Sequence, residues 1–222
     1  MGNSYNHMDM QEEQAAMHRG TNDASRASLS PSAKASVAVI LFAIFSFAGW
    51  LYETVENVFT FGGIYLRASL MLPWCPIYGV GGLIIVGVLE PLRRRLADRA
   101  PRLIEIVVMC ICIYLLTSAV ELSGSYACVA IMGYVPWDYS HAWMNFQGRI
   151  APAYTMRFVL LGLIALYLVY PNVVKRARRN PQTARVIATA IAALFVADAI
   201  LQAAGVWVGV KDALVPYGIS HW

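Results

Sequence analysis

Five long apolar segments alternate with polar segments along the chain. Each apolar segment carries few or no charges and approaches the roughly 20 residues that a helix needs to cross about 30 Å of hydrocarbon. The strict alternation of apolar and polar residues that is typical of a membrane β-barrel is absent. The pattern therefore predicts five spanning helices. They are expected at 35–52, 68–89, 103–132, 150–170 and 184–210.

Composition supports this assignment. Of the 222 residues, 59% are hydrophobic and 14% are charged, whereas about a quarter of the residues of a soluble domain are charged. The first 34 residues are different, because they are rich in Gln, Asn, Ser and Met and hold few large apolar side chains. We therefore expect an all-α, polytopic transmembrane bundle at 35–222, preceded by a disordered cytoplasmic tail at 1–34.

The distribution of arginine and lysine predicts the orientation of the bundle. Basic residues crowd the second-to-third and fourth-to-fifth connections, and cytoplasmic loops carry such an excess. The N-terminus is therefore expected inside and the C-terminus outside. This topology also accounts for the net charge of +4, so no nucleic-acid partner is expected. The basic residues are Arg93, Arg94, Arg95, Arg99 and Arg102, and Lys175, Arg176, Arg178, Arg179 and Arg185.

The connection between the third and fourth helices, 137–150, is unusually polar for a segment flanked by apolar runs. Polar side chains beside hydrocarbon cost free energy unless they pair with each other, with water or with a ligand. Counted from the inner helix ends, Glu53 and Glu121 both lie about 27 Å along, at the level of this connection. We therefore expect a polar cluster at the outer face, formed by Glu53, Tyr78, Glu121, Asp138, Tyr139, Asn145, Gln147 and Arg149.

Two charged residues are expected deeper in the bundle. Arg157 on the fourth helix and Asp198 on the fifth both lie about 20 Å from the inner ends of their helices. Because an unpaired charge at that depth is expensive, the sequence predicts an ion pair between Arg157 and Asp198, with a hydrogen bond from Gln202. Such a pair fixes the register of two helices whether or not it has a further function.

Cysteine and histidine give little indication of chemistry. Cys110 and Cys112 point about 200° apart on a helix, so they cannot bind one metal together. Cys75 and Cys128 are both expected near the outer face, where either a disulfide or two free thiols is compatible with the sequence. No metal and no cofactor are expected.

Four motifs occur along the chain between residues 45 and 170. They are 45–53 (FSFAGWLYE), 75–79 (CPIYG), Thr117-Ser118 with Glu121, and the interval 137–150, which begins WDYS and ends NFQGRI. In their order and spacing they resemble the motifs of the type IV ABC-transporter permease family, the CmpB-type bacterial membrane proteins. The resemblance implies a multi-pass permease subunit in the bacterial cytoplasmic membrane.

The resemblance also implies partners. The chain contains no Gly-rich phosphate loop ending in Gly-Lys-Ser/Thr, so a permease of this kind needs a separate ATPase subunit. Five helices are few for a translocation path, and we expect pairing with a second copy or with a second permease chain. The remaining partner is the lipid bilayer.

Two alternatives remain open from the residues themselves. In the first, the outer cluster belongs to an enzyme or receptor that acts on a lipid or envelope precursor at the outer leaflet, with carboxylates as acid and base groups. No nucleophile motif supports this enzyme, which weighs against catalysis. In the second, the protein is a structural membrane partner, and Glu53 and Glu121 clamp Arg149 and the loop amides to close the end of the bundle.

Overall fold

The computed structural model describes residues 29–61, 72–135 and 137–205. Within these ranges five helices are long and apolar enough to cross a membrane, which confirms the predicted all-α, five-helix fold. The first three are α1 (Pro31–Phe61), α2 (Pro76–Ala97) and α3 (Arg102–Met132). The fourth consists of α4 (Pro152–Ile164), a π-helical turn (Ala165–Val169) and α5 (Tyr170–Arg179), and the fifth is α6 (Pro181–Ala203).

Proline determines where these helices begin. A proline in the first turn costs little, because the amide that it lacks would have no acceptor inside the helix. At α1 the Ser30 hydroxyl also accepts a hydrogen bond from the Ala33 amide at 3.3 Å, so the helix begins at Pro31, inside the predicted tail. Residues 1–28 of that tail lie outside the described residues. Prolines at the starts of the later helices are Pro76, Pro152 and Pro181.

The second helix differs most from its predicted range. It begins at Pro76 rather than at 68, after an extended Cys75, and continues to Ala97 beyond the predicted end at 89. Its last two turns carry arginines. Arg93 and Arg94 bind Glu90 on the same helix, so the helix continues after the apolar run has ended.

Helix packing places α1 at the centre of the described part of the chain. It contacts α2 on one side and α6 on another, while α3 packs against α2 and α4. The rings of Phe42 and Phe195, 5.1 Å apart, hold α6 against α1. The most deeply buried large apolar side chains belong to α1, α3 and the π-helical turn, and are Leu41, Met109, Ile113 and Leu166.

The π-helical turn follows from the proline that comes after it. In an α-helix the ring of Pro171 would collide with the carbonyl of Tyr167, four residues earlier, and would leave that carbonyl without its amide donor. Widening the helix by one residue relieves this collision, and the Tyr170 amide donates five residues back to the Ala165 carbonyl. The fourth spanning segment is therefore interrupted at a defined level.

The two ends of the bundle differ in chemistry. We call the end that carries the segment 137–150 the loop end, and the end that carries Arg93, Arg94 and Arg102 the arginine end. Which of these faces the cytoplasm stays a prediction from the basic residues. The C-terminal residues 206–222 lie outside the described residues.

Three glycines let α1 and α2 approach closely. A Cβ at Gly79 would lie 2.3 Å from the Ser46 hydroxyl oxygen, one at Gly82 2.3 Å from the Phe45 ring, and one at Gly49 2.1 Å from the Tyr78 ring. These separations are too short for any side chain larger than hydrogen. The α1–α2 contact therefore depends on glycine at these positions.

We predict that Gly79→Ala destabilises the protein by about 1–3 kcal/mol, because the added methyl group overpacks this contact. Gly81→Ala, two residues away, is the matched control, since a Cβ there meets nothing within 4 Å. It is expected to change the free energy of unfolding by no more than about 1 kcal/mol. Thermal unfolding of both variants in detergent is the measurement, and equal destabilisation would contradict the proposed packing.

Candidate functional site

The segment 137–150 folds into a compact loop that is held by its own hydrogen bonds. Asn145 is its centre. The Asn145 side-chain amide donates to the Ser140 carbonyl at 3.0 Å and to the Ala142 carbonyl at 2.9 Å, and its oxygen accepts from the Gly148 amide at 3.0 Å. The Tyr139 amide donates to the Gly148 carbonyl at 2.8 Å, which ties the first part of the loop to the last.

Asp138 stabilises the outer turn of the loop. Its carboxylate accepts from the Ser140 amide at 2.8 Å and from the Ser140 hydroxyl at 3.0 Å. These bonds favour the charged form and lower the pKa of Asp138, which is solvent-exposed. Because the folded-state pKa is the lower one, the stabilisation is present at neutral pH and is lost only as the pH falls through the acidic range.

Tyr139 docks the loop onto α3 and α4. Its ring stacks on that of Tyr154, with 4.2 Å between centroids and 8° between planes. Its hydroxyl donates to Glu121 on α3 at 3.5 Å, and the same carboxylate accepts from Thr155 on α4 at 3.0 Å. Burial and the nearby Glu121 charge raise the pKa of Tyr139, so the phenol stays protonated and remains a donor.

Arg149 lies at the other edge of the loop. Its guanidinium donates to the Ser125 hydroxyl at 2.9 Å and covers the Tyr126 ring at 4.3 Å from the centroid. Gln147 accepts from the Tyr126 hydroxyl at 2.9 Å. The predicted clamp of Arg149 by Glu53 and Glu121 is thus replaced by contacts of Arg149 to Ser125 and Tyr126 on α3, while Glu121 binds the loop through Tyr139.

The ion pair predicted for Arg157 has a different partner. Arg157 pairs with Glu56 on α1, donates to the Tyr52 hydroxyl at 3.1 Å, and lies over the Tyr154 ring at 4.8 Å. Asp198 instead accepts from the Leu72 backbone amide at 3.1 Å. The pairing of Arg157 with Asp198 is therefore corrected. Distance from a helix end sets the level of a residue, but the packing of α6 against α1 sets its neighbours.

Glu53 and Tyr78, both named in the predicted outer cluster, are in direct contact. The Tyr78 hydroxyl donates to Glu53 at 3.1 Å, and the Tyr78 ring lies 6.2 Å from that of Tyr52. This contact joins α2 to the groups around Arg157. We call the whole set the loop-end cluster: Tyr52, Glu53, Glu56, Tyr78, Glu121, Tyr139, Tyr154 and Arg157.

Three members of this cluster were not among the predicted site residues: Tyr52, Glu56 and Tyr154. Their spacing contained a signal, since Tyr52 and Glu56 lie four residues apart and Tyr154 and Arg157 three apart, so each pair shares one helix face. Four of the predicted site residues belong to the cluster. Within it Glu121 contacts Tyr139, and Glu53 contacts Tyr78. Asp138, Asn145, Gln147 and Arg149 instead hold the loop and its contacts to α3.

A second polar cluster, also missed, lies at the arginine end. Glu90 accepts from Arg93 at 2.6 Å and from Arg94 at 2.7 Å. Glu105 on α3 accepts from Arg102 at 2.8 Å and from the Tyr167 hydroxyl at 3.0 Å. Both carboxylates are buried, and the signal was their i, i+3 or i, i+4 spacing to arginine. We call these six residues the arginine-end cluster.

These contacts limit the chemistry available at either end. None of the four cysteines, all of which lie in the described part of the chain, forms a disulfide, so Cys75 and Cys128 are not bonded to each other. Among the residues that the structure describes, no group of three His, Cys, Asp or Glu side chains is arranged to hold a metal ion. The loop-end cluster offers hydroxyls, carboxylates, one guanidinium and tyrosine rings, which suit hydrogen bonding and cation recognition.

Comparison with known proteins identifies the family. A family model described as "Putative ABC-transporter type IV" matches residues 40–203. The chain belongs to this family. In the comparisons with curated proteins and with solved structures, nothing matches. The match begins within α1 and ends with α6, so it includes both polar clusters and at least part of each of the five spanning segments of this ABC-transporter family member.

We predict that Asn145→Asp loosens the loop, because it replaces the donor to two carbonyls by an acceptor that repels them. Amide hydrogen exchange at Tyr139, whose amide bonds to Gly148, should accelerate by about tenfold or more, the change expected for roughly 1.4 kcal/mol.

Gln147→Glu is the matched control for that variant. It makes the same change of amide to carboxylate in the same loop, but it keeps the oxygen that accepts from Tyr126. Exchange at Tyr139 should stay near the wild-type rate. Similar acceleration in both variants would mean that added charge, and not the Asn145 bonds, controls the loop.

Proposed function

We propose that this chain is the permease subunit of an ABC transporter and that the loop-end cluster receives the transported substrate. The observation that carries the proposal is the family match over 40–203, which includes residues of all five spanning segments. The subunit lies in the bacterial cytoplasmic membrane as a multi-pass protein. The positive-inside tendency favours the arginine end as the cytoplasmic one, so the loop end opens to the outside.

The chemistry of the loop-end cluster favours a substrate that is cationic or rich in hydroxyl groups. The cluster contains three carboxylates, Glu53, Glu56 and Glu121, against one guanidinium, that of Arg157. Tyrosine rings beside these carboxylates attract cations and pack against flat apolar faces. The loop covers the cluster through Tyr139, whose stacking on Tyr154 can be broken without unfolding a helix.

Energy for transport comes from a separate ATPase subunit. The sequence has no Gly-Lys-Ser/Thr phosphate loop, so ATP hydrolysis belongs to a partner chain. That partner binds at the arginine end, where α5 continues past the π-helical turn to Arg179 with a basic last turn. A second copy of the chain, or a second permease chain, completes the path.

One arrangement of side chains favours a second function. In it the protein is an enzyme or receptor that acts on a lipid or envelope precursor at the outer leaflet. The His141 ring nitrogen lies 3.1 Å from the Tyr154 hydroxyl, and Tyr154 stacks on Tyr139, which reaches Glu121. An imidazole and a carboxylate thus each contact one member of the same stacked tyrosine pair. Such an arrangement is compatible with acid–base catalysis. A purely structural partner role would leave both clusters without a ligand.

Copurification separates these functions. From cells that express the tagged chain at native level, purification in mild detergent should recover an ATPase subunit, and the complex should hydrolyse ATP faster when substrate is added. The isolated chain should hydrolyse none. Recovery without any ATPase, together with turnover of a lipid precursor by the isolated chain, would contradict transport and support the enzyme.

We also predict that Glu121→Gln reduces the stimulation of ATP hydrolysis by substrate about tenfold or more, while the protein still folds. The amide still accepts from Tyr139 and Thr155 but lacks the charge that a cationic substrate requires. The matched control is Thr155→Val, which removes one bond to Glu121 and keeps its charge. If Glu121 is only structural, both variants should lower the melting temperature and leave stimulation intact.

A further inference from the structure

An apolar groove of about 370 Å³ lies at the arginine end between α3 and the π-helical turn. The groove lies beside the π-helical turn, which contributes Tyr167 and Leu168 to its wall. Its walls are mostly aliphatic. The lining residues are Arg102, Ile106, Leu163, Ile164, Tyr167 and Leu168.

The groove faces away from the core, as the exposure of its walls shows. Ile164 and Leu168 are 41% and 59% exposed. In a chain whose helices cross a bilayer, such a surface meets hydrocarbon rather than water. An acyl chain can therefore lie along these side chains without displacing water.

One edge of the groove carries a positive charge that is held in position. The Arg102 side chain is 60% exposed, while its partner Glu105 is 1% exposed. The Arg102 guanidinium lies over the Tyr167 ring at 4.6 Å from the centroid. One of its terminal nitrogens donates to Glu105, and a guanidinium has five N–H donors in all. Donors therefore remain for an anion at the edge of the groove.

The surrounding charges favour an anion at this edge. The Glu105 carboxylate also accepts a hydrogen bond from the Tyr167 hydroxyl, and it lies 3.7 Å from an Arg93 nitrogen. Arg102 is therefore not its only partner. The arginine-end cluster has three guanidiniums against two carboxylates. Basic pockets that border spanning helices on the interfacial side recognise the head groups of anionic lipids.

We propose that this groove binds one anionic phospholipid, with an acyl chain along Ile106, Ile164 and Leu168 and the phosphate at Arg102. Charge complementarity at Arg102 and the hydrocarbon-facing aliphatic wall select this occupant. The bound lipid fills the space beside the π-helical turn and joins α3 to the fourth spanning segment. The site is independent of the transport proposal, because it requires only that the chain spans a membrane.

The test is native mass spectrometry of the full chain released from detergent and titrated with phosphatidylglycerol or with phosphatidylcholine of the same acyl chains. We expect one tightly held phosphatidylglycerol and weaker retention of phosphatidylcholine. Inorganic phosphate should not displace the lipid, because it lacks the acyl chains. Equal retention of the two lipids, or displacement by phosphate alone, would overturn the proposal.

Two variants test the two parts of the site. Arg102→Gln should weaken phosphatidylglycerol binding about tenfold, the loss expected for a charge-assisted contact. Leu168→Trp should reduce it similarly by filling the groove without touching the arginine. If Arg102→Gln fails to fold, Leu168→Trp still decides the outcome.

Each variant has a matched control. Arg95→Gln removes a charge at the same end away from the groove, and Leu160→Trp adds the same bulk at a residue that is 61% exposed, close to the 59% of Leu168. Both should keep wild-type binding. If a variant and its control weaken phosphatidylglycerol binding equally, the lipid adsorbs non-specifically. If Leu168→Trp removes the mass of a dimer but keeps the lipid, the groove is the contact with a second copy of the chain. Either result would exclude the lipid site.

Discussion

Charges that lie within the spanning helices must be paired, and this constraint determines how the helices are placed. Removing an ionic group from water costs several kcal/mol unless a partner compensates. Arg157 meets this requirement on α1 through Glu56, and Glu105 meets it through Arg102 and Tyr167. The Arg157–Glu56 pair joins the fourth spanning segment to α1, and the Tyr167–Glu105 bond joins the same segment to α3. The two clusters at the ends of the bundle therefore stabilise the helix arrangement, whatever ligand each one binds.

The same constraint explains what the sequence could predict. Runs without charge identify spanning helices because the bilayer admits few other structures, and the five segments were found in this way. The helix starts were predicted less accurately. The first two helices begin at Pro31 and Pro76, and the limits of the apolar runs do not reveal these positions. The loop-end cluster was only partly predicted: Glu53 and Glu121 could be placed by level, and Tyr139 by its position in the loop.

Pairing across helices could not be derived from level alone. Arg157 and Asp198 lie at comparable depth, yet the contact of α6 with α1 gives them separate neighbours. The rotation of each helix about its axis depends on close packing, such as that of Gly79 against Ser46, which no periodicity reveals. The arginine-end cluster was missed for another reason. Arginines at a cytoplasmic helix end are expected whether or not they are paired, so their short spacing to Glu90 and Glu105 does not by itself indicate a cluster.

Two helices contribute to both clusters, and this links the ends of the molecule. On α3, Glu105 and Glu121 are separated by about 24 Å of helix. On the fourth spanning segment, Thr155 bonds to Glu121 while Tyr167 bonds to Glu105. If these segments were uninterrupted rods, a sliding movement at one end would break contacts at the other. The π-helical turn lies between Thr155 and the end of the segment and contains Tyr167, so the bonds of Thr155 and Tyr167 belong to helix stretches of different winding. A lipid in the groove would lie against this turn at Tyr167 and Leu168, beside the bond that joins the fourth spanning segment to Glu105.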